Sequence, residues 1–252
     1  MKHRAIFTSV KKDKYLPLWF KYYSQYFDDI YVIDNEPDIV DPFIEEAKKK
    51  YKFTKIDDYP NPANDLTPWN QVIREFQVEL LKKYKWVLYA DADEFVVPDP
   101  DKYKDLSDYI QKCTRDYVHC TGFNVLHMYE EERAANGDIL EFNEPALDLE
   151  KPILAQRKYW WYEYGYNKPL LARIPLNWEN GMHNLIGQEE SHLHELHDPD
   201  LFLIHLKQAD WDIFRTRIGG SYSADKGPEW FYKGRKQENE KELIPERLKS
   251  IL

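Results

Sequence analysis

An uncharged run that ends in a cluster of carboxylates is the feature that most constrains the fold of this chain. Trp86–Ala90 is uncharged and mostly apolar, and Asp91, Asp93 and Glu94 follow almost at once. A continuous apolar run of this kind is typical of a strand buried on both faces, as in parallel sheets flanked by helices. Because side chains alternate along a strand, we expect Asp91 and Asp93 to point the same way where the strand leaves the sheet.

Two carboxylates aimed at one point repel each other unless a positive charge lies between them. Mg²⁺ and Mn²⁺ favour carboxylate oxygens and share their coordination with substrate phosphates. The pattern therefore predicts a Mn²⁺ or Mg²⁺ site held by Asp91 and Asp93. The alternative is an acidic, solvated loop after a core strand, which is a common arrangement.

Strand and helix patterns alternate up to Pro98. The sequence predicts strands at Ala5–Val10, Ile30–Ile33, Lys52–Ile56 and Trp86–Ala90, with helices at Tyr15–Phe27, 42–51 and 68–84, the last two opening at Asp41-Pro42 and Thr67-Pro68. This order predicts βαβ units and an α/β fold with a mainly parallel central sheet flanked by helices. Ligands bind such sheets at the carboxyl ends of the strands, where Thr8, Ser9, Asp34 and Asp91 fall.

Beyond Pro98 the alternation fades. The patterns there predict a helix at Tyr103–Lys112 and strands at Tyr117–Tyr129, Lys168–Ile174 and Leu201–Leu206. Neither a repeat nor a low-complexity linker divides the sequence, which favours a single domain over 1–252. Its parts would be a ligand-binding half at 1–98, a second half at 99–224 and a peripheral C-terminal helix at 225–252.

Composition narrows the partners and the compartment. The net charge of -10 argues against a nucleic-acid partner, and the 15% aromatic content, with 8 Trp and 19 Tyr, favours a ring-shaped ligand. No window approaches the roughly 18 apolar residues of a membrane span, and the first apolar run is too short for a signal peptide. Cys113 and Cys120 lack metal-like spacing. We therefore expect a cytoplasmic protein without a transmembrane segment.

Three segments together carry a resemblance to a known family. Tyr15–Trp19 reads Tyr-Leu-Pro-Leu-Trp, Tyr31–Asn35 reads Tyr-Val-Ile-Asp-Asn, and Trp86–Phe95 ends in Asp-Ala-Asp-Glu-Phe. In this order they resemble the family 2 glycosyltransferases of the GT-A (Rossmann-like) fold, in the branch whose signature is Asp-x-Asp-Glu-Phe. The resemblance extends over residues 5–98 and is patchy over 165–215.

The resemblance implies a nucleotide-diphosphate sugar donor and a divalent metal, Mn²⁺ or Mg²⁺. It implies that Thr8 lies beside the nucleotide and Asp34 near the nucleoside. It also implies that Asp91 lies near the ribose or the metal, and that Asp93 is the principal protein ligand of the metal. Asn70 lies on the helix where related enzymes often place donor contacts.

Histidines in the second half supply further hypotheses. His205 and Lys207 share a face if their strand persists, and imidazole is a good ligand for Mn²⁺. The resemblance implies that His205 completes the metal shell, and Lys207 would neutralise the diphosphate. The alternative for His205 is a structural histidine at a strand end. His192, His194 and His197 suggest zinc, but their spacing in an expected loop favours an ordinary polar segment.

Inversion at the sugar, which the resemblance favours over retention, needs a carboxylate that takes the acceptor's proton. Glu179 is our candidate for this base and Glu163 is its rival, with a surface carboxylate as the alternative for each. Trp161 lies in an aromatic segment that would stack against an acceptor sugar. The same segment would equally serve a hydrophobic cluster under a loop.

The function predicted from these observations is transfer of a hexosyl group to a glycan or glycoconjugate. A nucleotidyltransferase is the first alternative, although the loop after the first strand, Val10–Lys14, lacks the glycines that its phosphate loop would need. The second alternative is a non-catalytic carbohydrate-binding protein with the same fold. It predicts weak or absent donor binding and no turnover.

Overall fold

A computed structural model describes residues 2–57, 69–128, 144–187, 197–218 and 241–252. In these ranges the chain has an α/β architecture with a large mixed β-sheet flanked by helices. Its residues cluster into two compact units. The first unit comprises Met1–Gly122 and Tyr164–Leu203, and the second comprises Phe123–Glu163 and Ile204–Leu252.

The helices and strands follow the predicted order through the first part of the chain. The helices are α1 (Leu16–Tyr23), α2 (Pro42–Lys50), α3 (Trp69–Leu81), α4 (Leu106–Lys112) and α5 (Trp211–Ile218). The strands are β1 (Lys2–Val10), β2 (Asp29–Asp34), β3 (Thr54–Ile56), β4 (Tyr84–Tyr89), β5 (Glu94–Pro98), β6 (Tyr117–Leu126), β7 (Tyr159–Tyr162), β8 (Pro169–Ala172), β9 (His197–His205) and β10 (Lys241–Leu243).

The first unit contains the predicted parallel strands. They lie side by side in the order β3, β2, β1 and β4, and every pair among these neighbours is parallel. Next to β4 lies β8, which runs antiparallel to it, and the first residues of β6 pair antiparallel with β8. The parallel part thus ends at β4, the strand after which the acidic residues follow in the sequence.

The prediction of a mainly parallel sheet is wrong, because the sheet is mixed. In the second unit, Phe123–Leu126 of β6 pairs antiparallel with β7, and β10 pairs antiparallel with β7. The prediction of a peripheral helix at 225–252 is also wrong for its described part. Residues 241–252 contain β10 and a short 3₁₀ helix at Glu246–Leu248. Lys241–Leu243 pairs with the edge of the sheet instead of forming a helix. Pro245 has no backbone N–H to donate, so it interrupts the hydrogen bonding between the two elements.

The predicted start of α2 is confirmed. The Asp41 carboxylate accepts hydrogen bonds from the backbone N–H groups of Phe43 and Ile44, and Pro42 occupies the first helical position. The predicted end of α3 at Tyr84 is wrong, because Tyr84 begins β4 and its hydroxyl donates to Asp29 at 2.8 Å. The predicted cap at Thr67-Pro68 lies outside the described residues.

Two tyrosines of α1 hold the strand that follows the acidic residues. The Tyr23 hydroxyl donates to the Glu94 carbonyl at 3.1 Å and accepts from the Val96 N–H at 2.8 Å. The Tyr22 hydroxyl donates to the Val96 carbonyl at 2.8 Å. Both side chains are buried. The position of β5, and with it that of Glu94, is therefore set by α1.

Candidate functional site

The carboxyl ends of the parallel strands form the edge on which the sequence predicts a site. Side chains tie two of these ends together, since the Asn35 amide donates to the Ser9 hydroxyl at 2.9 Å. The Asn35 N–H also donates to the Val10 carbonyl at 3.0 Å. The end of β1 is thus fixed against the residue that follows β2.

The acidic residues form a turn instead of continuing β4. The Glu94 N–H donates to the Asp91 carbonyl at 2.9 Å, which closes a turn over Asp91–Glu94, called the acidic turn below. Because the chain turns here, strand alternation does not extend to Asp93 and gives no reason for Asp91 and Asp93 to share one direction. The Asp91 side chain is 34% exposed, whereas Asp93 is only 3% exposed.

A buried lysine that sequence reasoning missed contacts the acidic turn. The Lys168 Nζ lies 2.6 Å from Glu94 Oε1 and 3.8 Å from Asp91 Oδ2. The side chain of Glu94 is fully buried and that of Lys168 nearly so. Burial of the ammonium acts to lower the pKa of Lys168, but the charges of Glu94 and Asp91 outweigh it and raise this pKa. Lys168 therefore stays a cation.

The sequence held one signal for this lysine. Lys168 directly precedes the apolar run Pro169–Ala172, which forms β8 and is buried throughout. A charged residue at the start of a fully buried strand needs a buried partner of opposite charge. That partner is supplied by the acidic turn, because β8 lies next to β4.

The segment before β8 is fixed by close contacts within the first unit. The Asn167 side chain accepts a hydrogen bond from the Gly122 N–H at 2.9 Å, and the Asn167 carbonyl accepts from His119 Nδ1 at 2.8 Å. The Lys168 carbonyl accepts from the Cys120 N–H at 3.0 Å. These bonds set the backbone from which Lys168 reaches Glu94.

Tyr89, the last residue of β4, also contacts the acidic turn. Its hydroxyl donates a hydrogen bond to Asp91 Oδ1. Burial of the ring, together with the charge of Asp91, raises the pKa of Tyr89 well above its usual value. Tyr89 therefore stays a neutral donor and fixes one oxygen of the exposed carboxylate.

The other residues predicted to contact the nucleotide sugar lie in the first unit, and each has different hydrogen-bond or ion-pair partners. Thr8 is fully buried, and its hydroxyl hydrogen-bonds none of the described residues. Asp34 is 6% exposed, and its Oδ2 lies 2.8 Å from the Lys55 ammonium. Asn70 donates to the Trp178 carbonyl at 3.2 Å, while its Oδ1 is buried and has no hydrogen bond within the described residues.

The predicted base and the predicted acceptor contact lie in different units. In the first unit, Glu179 is exposed and caps the short 3₁₀ helix Asn180–Met182, without a side-chain capping bond. In the second unit, Trp161 is 7% exposed and packs with Leu126 and Met128. This packing matches the alternative prediction for Trp161, a place in a hydrophobic cluster.

His205 and Lys207 belong to the second unit. The strand ends at His205, and Lys207 is a half-buried residue in the turn that follows. The expectation that the two side chains share one strand face is therefore wrong. His205 is 4% exposed, and its Nδ1 lies 2.6 Å from Asn124 Oδ1. His192 and His194 lie outside the described residues.

The carboxylates of the acidic turn fit a metal ion that takes most of its ligands from substrate and water. No group of three or more His, Cys, Asp or Glu side chains suited to a metal ion occurs within the five described ranges. Mg²⁺, however, is usually held by one or two carboxylates and by substrate phosphates and water. The partly exposed Asp91 carboxylate meets this smaller requirement.

Comparison with known proteins gives no family. The sequence matches no protein-family model, and no curated protein matches it. A search of the described helices finds none that is long and apolar enough to span a membrane. Function is therefore inferred from the site itself.

Proposed function

We propose that this protein is a glycosyltransferase of the GT-A type that transfers a hexosyl group from a nucleotide-diphosphate sugar to a glycan or glycoconjugate. One observation carries the proposal. An acidic turn follows the last parallel strand and offers one partly exposed carboxylate, Asp91, beside a buried cation, Lys168. Ligands of open α/β sheets bind at this end of the strands.

In the proposed donor complex Asp91 is the residue that would hold Mn²⁺ or Mg²⁺. When bound, the metal supplies positive charge that stabilises the departing nucleoside diphosphate. Tyr89 orients the carboxylate by donating to Oδ1, and Lys168 keeps the neighbouring Glu94 paired. Asp93 remains our second candidate ligand, although it is 3% exposed.

Further residues support a polar ligand near the parallel strands. The Thr8 hydroxyl and the Asn70 carbonyl oxygen are buried without a hydrogen bond to any described residue, an arrangement that is unfavourable unless a ligand or water satisfies it. We propose Thr8, Asn70 and Asp34 as nucleotide contacts. Glu179, whose carboxylate is exposed, is the proposed base of an inverting reaction.

The candidate binding residues of the second unit are a separate part of the proposal. His205 as a metal ligand, Lys207 as a diphosphate contact and Trp161 as an acceptor contact stay hypotheses from the sequence. Burial of Trp161 against Leu126 and Met128 favours its structural alternative. We therefore expect Trp161→Leu, which removes the ring that would stack on a sugar but keeps an apolar side chain in the cluster, to leave acceptor affinity unchanged.

A non-catalytic carbohydrate-binding protein is the second candidate function. The observation that favours it is the burial of Asp93, because the resemblance expects this carboxylate to contact the metal. The two candidates differ in turnover. Hydrolysis or transfer of a nucleotide sugar by the purified protein would exclude the second.

The decisive experiment is a thermal-shift screen of UDP, GDP, CMP and dTDP and of their sugars, each with and without Mn²⁺. Ligands that bind only the folded state raise its melting temperature. We expect one nucleotide to stabilise the protein in a metal-dependent manner. No shift with any nucleotide, for protein shown to be folded, would reject a donor site.

The same assay separates the two aspartates. We expect Asp91→Asn to abolish the metal-dependent shift while changing stability little, because this side chain is partly exposed. Asp93→Asn is expected to lower the melting temperature of the ligand-free protein more, since Asp93 is buried. Retention of the metal-dependent shift in Asp91→Asn would remove Asp91 from the metal site.

A further inference from the structure

We propose that Lys168 is the internal counter-ion of the acidic turn, so that a divalent cation binds tightly only together with a nucleotide diphosphate. The inference deepens the proposed function and rests on it for the identity of the nucleotide. Its basis is the contact of one buried ammonium with Glu94 at 2.6 Å and with Asp91 at 3.8 Å.

Charge balance at the turn is the first step. Glu94 is fully buried, so its charge requires the paired ammonium of Lys168. The same ammonium also faces the exposed Asp91. A divalent cation that approaches Asp91 alone is therefore attracted by the carboxylates and repelled by Lys168. Because the lysine is buried, solvent screens this repulsion less than it would at the surface.

The second step is the effect of a diphosphate. Its negative charges are attracted both by the metal and by the ammonium of Lys168, so a diphosphate offsets their mutual repulsion. Magnesium and manganese usually retain phosphate oxygens among their ligands. The lysine therefore selects the metal–nucleotide complex over the free metal ion.

Titration of the nucleotide-free protein with Mn²⁺, followed by the EPR signal of free Mn²⁺, tests the inference. Lys168→Met removes the ammonium and leaves both carboxylates. We expect it to bind Mn²⁺ at least about tenfold more tightly than the unmodified protein. Equal or weaker Mn²⁺ binding by folded Lys168→Met would overturn the inference.

Two further variants act as controls. Lys168→Arg keeps the charge and is expected to bind free Mn²⁺ as weakly as the unmodified protein. Lys102→Met removes a lysine whose partner is Asp200, at 2.6 Å, beyond the opposite end of β5 from Glu94. It changes the net charge equally and is expected to leave Mn²⁺ affinity unaltered. If Lys102→Met increased the affinity for Mn²⁺ as much as Lys168→Met does, the effect would come from net charge alone, and the inference would be overturned.

A polar variant keeps the test valid if Lys168→Met does not fold. Lys168→Gln lacks the charge but retains an N–H that reaches towards Glu94, so its burial is less unfavourable. The same gain in Mn²⁺ affinity is expected. The thermal-shift screen reports separately on the proposed function. Tighter Mn²⁺ binding in Lys168→Gln without any nucleotide shift would support the role of the lysine and reject the donor site.

Discussion

At the scale of single residues, the buried pair of Lys168 and Glu94 dominates the energetics of the acidic turn. Lys168→Met leaves the Glu94 carboxylate buried without its cation. Breaking a buried ion pair by removing one partner costs about 3–5 kcal/mol, so the free energy of unfolding is expected to fall by about that amount. Urea denaturation followed by circular dichroism measures it.

The double variant Lys168→Met/Glu94→Gln provides the comparison. It removes both charges, and replacement of a whole buried pair is often close to neutral. We expect it to recover most of the stability that Lys168→Met loses. Equal losses in the single and double variants would show that the pairing of Lys168 with Glu94 does not account for the loss.

The same residues show what the sequence predicted about the site. The apolar run before Asp91 located the acidic residues after a buried strand, because burial on both faces produces a local pattern. The sequence did not predict Lys168, which follows Asp91 by many residues and reaches it only through the pairing of β8 with β4. Hydrogen bonding closed a turn at Asp91, so the periodicity of the strand does not extend to Asp93.

At the scale of secondary structure, a close contact of β6 positions the segment before β8. A Cβ added to Gly122 would lie 2.4 Å from the Tyr166 Cβ and 2.5 Å from its carbonyl carbon. Gly122→Ala therefore has to displace the backbone around Tyr166. We expect it to lower the free energy of unfolding by about 3 kcal/mol, the upper part of the range for overpacking.

Gly187→Ala is the matched control for this prediction. Among the described residues, its chain neighbours apart, no atom lies within 4 Å of a Cβ at Gly187, and the φ of +87° is what opposes the substitution there. The expected cost is about 1 kcal/mol. Chemical denaturation of both variants checks the order. A larger loss in Gly187→Ala would show that the segment at Tyr166 yields easily.

The strands also show why the parallel pairing of the sheet was predictable and its antiparallel pairing was not. Parallel strands need crossover helices, so β1 to β4 leave an alternating pattern in the sequence. Antiparallel partners need no such helix, and β7, for example, pairs with both β6 and β10. Lys241–Leu243 of β10 is short, and its neighbour β7 is far away in sequence. Long-range pairing of this kind leaves no local periodicity.

At the scale of the whole molecule, a buried histidine in the second unit makes stability depend on pH. His127 Nε2 lies 2.8 Å from the Glu144 carbonyl, and the Trp211 N–H donates to Nδ1 at 3.2 Å. The neutral ring satisfies both contacts, with its proton on Nε2. Burial, partly opposed by the Glu144 carbonyl, lowers the pKa of His127 from 6.5 to about 4.

The direction of the pH effect follows from proton binding. Between pH 6.5 and pH 4 the unfolded chain protonates this histidine while the folded chain does not. The contribution of neutral His127 to the free energy of unfolding is therefore fully present above pH 6.5 and is lost as the pH falls to about 4. We expect it to amount to about 3 kcal/mol at neutral pH, and urea denaturation at a series of pH values measures the loss.

His127→Gln assigns this loss to a single side chain. Glutamine cannot be protonated in this range, so the variant is expected to be less stable at pH 7 but to lose less stability on acidification. His3, which is exposed, gives the control His3→Gln, with an unchanged pH dependence. If His127→Gln retained the full slope between pH 6.5 and pH 4, the acid sensitivity would belong to other groups. His119, whose pKa burial also lowers, would be the next to substitute.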